Sequence, residues 1–160
     1  MTRSPSTPEG AIRARWESLN ARPGGKRLFS FLLGLMVPYT GTVRPRVEEL
    51  RPGYARVSMR DRRRVRNHLN SVHAIALMNL AEVATGLALN FDLPPAARSI
   101  LKGISIEFHK KARGTLVAEA TAPVLAGSEE RELEVETAIR DAAGDVVATA
   151  RARWLIGPRR

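Results

Sequence analysis

NHLNSVHAIALMNLAEVATGLALN, residues Asn67–Asn90, decides how this 160-residue chain folds. From Ser71 onward the stretch has no proline and is long enough for about five helical turns. Asn70 or Ser71 is the expected cap, because a short side-chain oxygen accepts from the free N–H groups of a first turn. Asn90, with Asp92 and Pro94-Pro95 beyond it, ends the run. Alanine, leucine, isoleucine, methionine and valine surround the axis, and a helix that is apolar all round is buried all round. His73, Asn79 and Glu82 interrupt it, which argues against a membrane span.

Glu82 is the anomaly, because glutamate is rarely buried without compensation. Asn79 and Thr85 lie three residues to either side of it on one face. Two readings stay open. One is a narrow polar stripe at the surface, and the other is a carboxylate with a raised pKa in an enclosed site. His73 and Glu82 are separated by roughly 13 Å along the axis and lie on opposite sides. One copy of the helix therefore cannot aim both at one atom, and a shared site requires a homodimer.

Working outward, residues 1–8 read as a disordered tail, although Ser6 to Glu9 fits a capping box. Residues 9–41 read as two short helices, the first with Ile12, Trp16 and Leu19, the second from Lys26 to Met36. Pro38-Tyr39-Thr40-Gly41 reads as a turn. The rest, residues 42–160, forms the main domain. Thr42 to Leu50 and Tyr54 to Asp61 read as a strand hairpin around Arg51-Pro52-Gly53. After the long helix come strands at Ser99–Lys111, Thr115–Thr121, Leu133–Asp141 and Val146–Ile156, expected as an antiparallel meander. The fold class is α+β, and the simplest packing wraps one antiparallel sheet around the buried helix.

Cysteine is absent, which excludes a disulfide framework and a thiol nucleophile and fits a cytoplasmic setting. The first residues show no apolar secretory run. The net charge of +10 raises nucleic acid as a partner, as does the Arg60 to Arg66 segment with its five arginines. Only 5% of residues are aromatic and none is interleaved with those arginines, so a nucleic-acid partner is not expected. Such charge equally suits a phosphorylated small ligand, or plain solvated arginines.

Asn67-x-x-Asn70-x-x-His73-Ala74-Ile75, followed by Leu80-Ala81-Glu82, resembles the signature of hotdog-fold thioesterases. The phenylacetic-acid-degradation type has N-x-x-G-x-x-H-G-G with L-A-D/E further along the helix. Phe108 to Leu116 resembles that group's basic turn, and the order of elements from Thr42 to the end agrees. The Pro23-Gly24-Gly25-Lys26 start of the second helix and Val37 to Gly41 are similar to an uncharacterised branch of the superfamily, known only as a domain of unknown function. The resemblance implies a hotdog fold with two extra N-terminal helices. It also implies a homodimer, often paired into tetramers, acting on an acyl-CoA or another carrier thioester. No metal and no separate cofactor are expected, with coenzyme A entering only as part of the substrate.

By the same resemblance Glu82 is the general base or nucleophile. Ala74, in place of the first glycine, offers its N–H to the carbonyl oxygen, and Asn67 and His73 shape and polarise the site. Asn79 and Ile75 would line the substrate, and Lys110, Lys111 and Arg113 would hold the phosphates of coenzyme A. The paired glycines are here Ala74 and Ile75, which bears on activity more than on fold. A non-catalytic module that binds acyl-CoA or acyl chains is the alternative.

Overall fold

The computed structural model describes residues 8–159. Four helices precede or flank six strands: α1 (Pro8–Leu19), α2 (Gly25–Met36), α3 (Pro38–Val43), β1 (Arg46–Arg51), β2 (Tyr54–Arg60), α4 (Ala74–Asn90), β3 (Ala97–Phe108), β4 (Thr115–Thr121), β5 (Arg131–Arg140) and β6 (Val146–Pro158). A 3₁₀ turn at Arg63–Val65 joins β2 to the loop before α4. The tail expected at residues 1–8 lies outside the described residues up to Thr7, and Pro8 already belongs to α1.

The strands form one antiparallel sheet in the order β1-β2-β4-β5-β6-β3, and α4 touches every one of them. This is the hotdog arrangement. Alternation supplies the core: Ala55, Val57 and Met59 of β2, Leu116, Ala118 and Ala120 of β4, and Val135 and Ile139 of β5 turn inward and are buried. Leu77, Leu80, Ala81, Ala84 and Ala88 of α4 meet them. Alanines on both partners let helix and sheet approach closely, and the all-round apolar character of α4 follows from a sheet that curves around it.

The sequence reading needs correction at four points. β3 is not the first strand of a meander. It pairs with β6 at the far edge, so residues 109–114 carry the chain across to β4 and form no hairpin. Pro38 to Gly41 is not a turn leading into a strand at Thr42. It is the start of α3, with Pro38 in its first turn and Arg44 ending it in the left-handed region at φ 50°. Gly34 and Gly41 let α2 and α3 meet backbone to backbone, because a Cβ on Gly41 would stand 2.7 Å from the Gly34 carbonyl oxygen. The cap of α4 is neither Asn70 nor Ser71 but His73, whose Nδ1 accepts from Ile75 N at 3.1 Å. Nor do Asn79, Glu82 and Thr85 share a surface stripe, since Asn79 and Thr85 are buried.

The two N-terminal helices lie at the β1 edge and the end of α4. Trp16 meets Phe29 edge-on, with centroids 5.1 Å apart. Arg13 pairs with Asp92 just past α4. α2 covers the free edge of β1. Val47 N–H donates to Ser30 Oγ at 2.9 Å and Lys26 Nζ donates to the Glu48 carbonyl at 2.6 Å. An edge strand with its polar groups so engaged cannot accept another strand. Among the described residues no such cover lies on β3, a twelve-residue strand at the opposite edge.

Candidate active site

The loop before α4 is held by its own polar groups. Asn67 Oδ1 accepts from Leu69 N at 3.0 Å and Ser71 N at 3.2 Å, and Asn70 takes a left-handed φ of 55°, which asparagine tolerates. Val72 N–H donates to the Ala112 carbonyl at 2.8 Å, and Arg113 Nε donates to the Asn70 carbonyl at 3.1 Å. The basic segment after β3 and the N-terminal end of α4 are therefore one laced unit. That unit fixes where the helix begins, with Ala74 as its first residue. A helix leaves its first N–H groups without intrahelical acceptors and carries the positive end of its dipole there. His73 takes the Ile75 donor, and no acceptor meets the Ala74 N–H among the described residues.

Within α4 the residues that are not fully buried are Ile75 in the first turn and Ala74, Met78, Glu82, Gly86 and Asn90, the last five an unbroken i, i+4 line. Beyond the first turn only this line of the helix is left uncovered among the described residues, and Glu82 is at its middle. Its carboxylate has no hydrogen bond or ion pair among the described residues, and burial pushes its pKa above the usual glutamate range. One turn on, a Cβ at Gly86 would lie 3.2 Å from the Trp154 ring and 3.8 Å from Glu82 Oε1, so the indole of β6 closes over the helix beside the carboxylate. Two buried polar atoms nearby in the fold have no partner, Asn79 Oδ1 and Trp154 Nε1, while Asn79 Nδ2 donates to the Tyr39 carbonyl at 3.2 Å.

The sequence-derived candidates thus fall into three places. Glu82 and Asn79 sit mid-helix. Asn67, His73, Ala74 and the half-exposed Ile75 sit at the helix start, with Arg113 bound to the loop that precedes it. Within one chain Ala74 and Glu82 are about 12 Å apart along the axis. Lys110 lies apart from both, held by Asp141 at 2.8 Å and Asp145 at 2.7 Å, contacts that raise its own pKa and lower that of Asp141. Lys111 is exposed. No group of three or more metal-ligating side chains occurs among the described residues. No helix there is long and apolar enough to cross a membrane.

A family model described as a domain of unknown function, DUF4442, matches residues 25–156. The chain belongs to this family. A structural-genomics protein is 30% identical, with a TM-score of 0.80, over 92% of this chain and 98% of its own. A protein of unknown function from Pseudomonas aeruginosa, described as a probable thioesterase, is 26% identical, with a TM-score of 0.75, over 83% of this chain and 95% of its own. The phenylacetic acid degradation protein PaaI of Thermus thermophilus is 20% identical, with a TM-score of 0.63, over 74% of this chain and 97% of its own, a likeness of fold. No curated protein matches. The chain is thus a thioesterase-like hotdog protein of the DUF4442 family.

Sequence reasoning passed over Met78, Gly86 and Trp154. The signal for two of them was present. Met78 and Gly86 flank Glu82 at i−4 and i+4, and a glycine inside a helix costs about 1 kcal/mol against alanine, so it needs a local reason. Trp154 is placed beside them by the pairing of β6, which no local pattern in the sequence encodes.

Proposed function

We propose that this protein hydrolyses an acyl thioester, most simply an acyl-CoA, at a site built by two copies of the chain. The observation that carries the reading is Glu82: a carboxylate of raised pKa with no ion pair among the described residues, on the line that stays uncovered past the first turn of a mostly buried helix. In a cleft of this kind the carboxylate removes a proton from water as the water oxygen bonds to the thioester carbon. The carbonyl oxygen takes up the negative charge. The tetrahedral intermediate then collapses, the carbon–sulfur bond breaks, and the proton held by Glu82 passes to the leaving sulfur. Attack by the carboxylate itself, followed by hydrolysis of the anhydride, has the same overall balance.

The oxyanion needs fixed donors, each worth on the order of 3 kcal/mol when removed. The Ala74 N–H at the start of α4 is such a donor, but about 12 Å of helix separates it from the Glu82 of its own chain. Ala74 of the partner subunit meets the requirement. The sheet supports the pairing. One edge is closed by α2, while β3 leaves its outer edge unpaired and exposes about half of Ile100 and Phe108. His73 and Asn67 are positioning residues in this reading, since their side chains shape the helix start. The probable thioesterase from Pseudomonas aeruginosa lends support at the level of the reaction. Acyl-CoA esters assayed by released thiol provide the test: parent-like turnover by Glu82→Gln would refute the role of Glu82, and a monomer in sedimentation would refute the shared site.

A second reading is favoured by one observation. Ile75 stands where the resembling family has glycine, and its side chain is 48% exposed beside the donor. A bulky residue there suits a module that binds acyl-CoA without turnover. Calorimetric binding of a CoA ester with no thiol released would establish it.

A further inference from the structure

The sheet has a second face, turned away from α4. Arg46 and Glu48 of β1, Ser58 and Arg60 of β2 and Thr115 of β4 lie on it, since Val47, Val57, Met59 and Leu116 of opposite parity are buried in the core. Arg27 of α2 and Arg44 and Arg62 from the flanking segments close around them to leave a concavity of about 540 Å³. Five guanidinium groups line it against one carboxylate. That carboxylate is already engaged, because Glu48 Oε1 accepts from Ser58 Oγ at 2.6 Å and lies 3.3 Å from Arg46 Nε. Arg46 Nε is buried and makes no hydrogen bond. Arg27, Arg44 and Arg60 have no carboxylate partner among the described residues.

Elsewhere on this face two arginines are paired across strands, Arg56 with Glu119 at 3.4 Å and Arg151 with Glu136 at 2.9 Å, and Arg140 and Arg153 stand singly. The concavity differs in gathering five guanidinium groups in one place. Arg44 holds its place with a left-handed φ of 50°, which a non-glycine residue rarely adopts. Burial, and then the charges of Arg44 and Arg64, lower the pKa of Arg62, whose Nη2 donates to the Val43 carbonyl at 2.8 Å. Like charges gathered in one hollow lack the anion that would balance them.

We propose that this hollow binds a small molecule carrying two or more linked phosphate groups. Planar guanidinium groups match phosphate oxygens two at a time, and five of them around a hollow of this size exceed what one phosphate can engage. No aromatic or aliphatic side chain lines it, so it offers no stacking platform for bases and no bed for lipid tails. The hollow lies on the opposite face of the sheet from Glu82 and at the opposite edge from β3. It is therefore independent of the thioester reading, and pairing of two copies through β3 leaves it open.

The test is calorimetric titration of the full chain with inorganic pyrophosphate at low ionic strength, where charge interactions reach about 30 Å. One pyrophosphate is expected per chain, bound more tightly than inorganic phosphate. Arg27→Gln/Arg60→Gln removes two guanidinium groups with no ion pair among the described residues, so the variant keeps its structure and weakens binding at least about tenfold. Arg98→Gln/Arg131→Gln removes the same charge elsewhere and weakens it less than about threefold. ADP as a competitor identifies a free diphosphate as the source. Equal weakening by the two double variants, or no preference for pyrophosphate over phosphate, would overturn the proposal. So would binding seen only with vesicles of equal parts phosphatidylcholine and phosphatidylserine, or only with duplex DNA.

Discussion

Glu82→Gln is expected to make the protein more stable at neutral pH while abolishing the proposed thioester hydrolysis. The substitution keeps the shape of the side chain and removes a charge that lies half-buried against Gly86 and the Trp154 ring with no ion pair among the described residues. Relief of that uncompensated desolvation is worth about 1–2 kcal/mol. A domain of this length shifts its melting temperature by roughly 2–4 °C per kcal/mol, so a rise of about 2–8 °C is expected. The pH dependence has a definite sign. The folded state raises the glutamate pKa, so ionisation weighs against the fold. The penalty is absent below the unfolded pKa of about 4.3, grows as pH rises from there through the raised folded pKa, and is complete above it. The difference between parent and variant in thermal unfolding should therefore be widest near pH 8 and vanish as pH approaches 4. A variant that melts at or below the parent at neutral pH, or a difference that widens on acidification, would mean that the carboxylate is compensated, and the case for a strained base would fail.

Three further outcomes follow from particular contacts. His73→Ala should cost about 1 kcal/mol in urea unfolding, the usual worth of an N-cap, and His73→Asn should restore both stability and thioester hydrolysis if the imidazole only caps. Gly86→Ala gains about 1 kcal/mol of helix propensity but drives a methyl to 3.2 Å from Trp154, which the paired strands on both sides of β6 hold in place; overpacking of about 1–3 kcal/mol should win, with a net loss seen in urea unfolding and a shift in tryptophan fluorescence. Gly25→Ala would place its Cβ 1.7 Å from the Leu19 carbonyl oxygen, so α1 should leave its seat, Trp16 should become solvent-exposed, and stability should fall by more than about 3 kcal/mol.

The long helix and the strands of the sheet were legible because their apolar periodicity is strong and local. The partly buried setting of Glu82 was legible because a charge in an apolar run contradicts its surroundings. Other features were not, each for a physical reason. His73 won the cap over Asn70 and Ser71 because those two residues are spent in the preceding loop, where Asn67 Oδ1 binds Ser71 N and Asn70 supplies the left-handed turn. α3 was hidden because Pro38 and Gly41 read as turn punctuation. There Pro38 opens a helix and Gly41 lets that helix meet Gly34 of α2, a contact the local sequence does not show. The place of β3 beside β6 is a long-range pairing on which alternation within one strand is silent. Asn79 and Thr85 looked like a polar stripe because the helical wheel gives a face but not what covers it.

The unequal hems of the sheet also limit what larger assemblies it can build. With β1 stitched to α2 through Ser30 and Lys26, the pairing of copies proposed for β3 has no matching hem to use except another β3. A junction of that kind is self-complementary and consumes both participants, so growth along the strand-pairing direction halts at two sheets and cannot run on into a filament. Ser30→Pro, which breaks α2 and so frees the β1 hem, would remove that stop and open the proposed joint to head-to-tail growth.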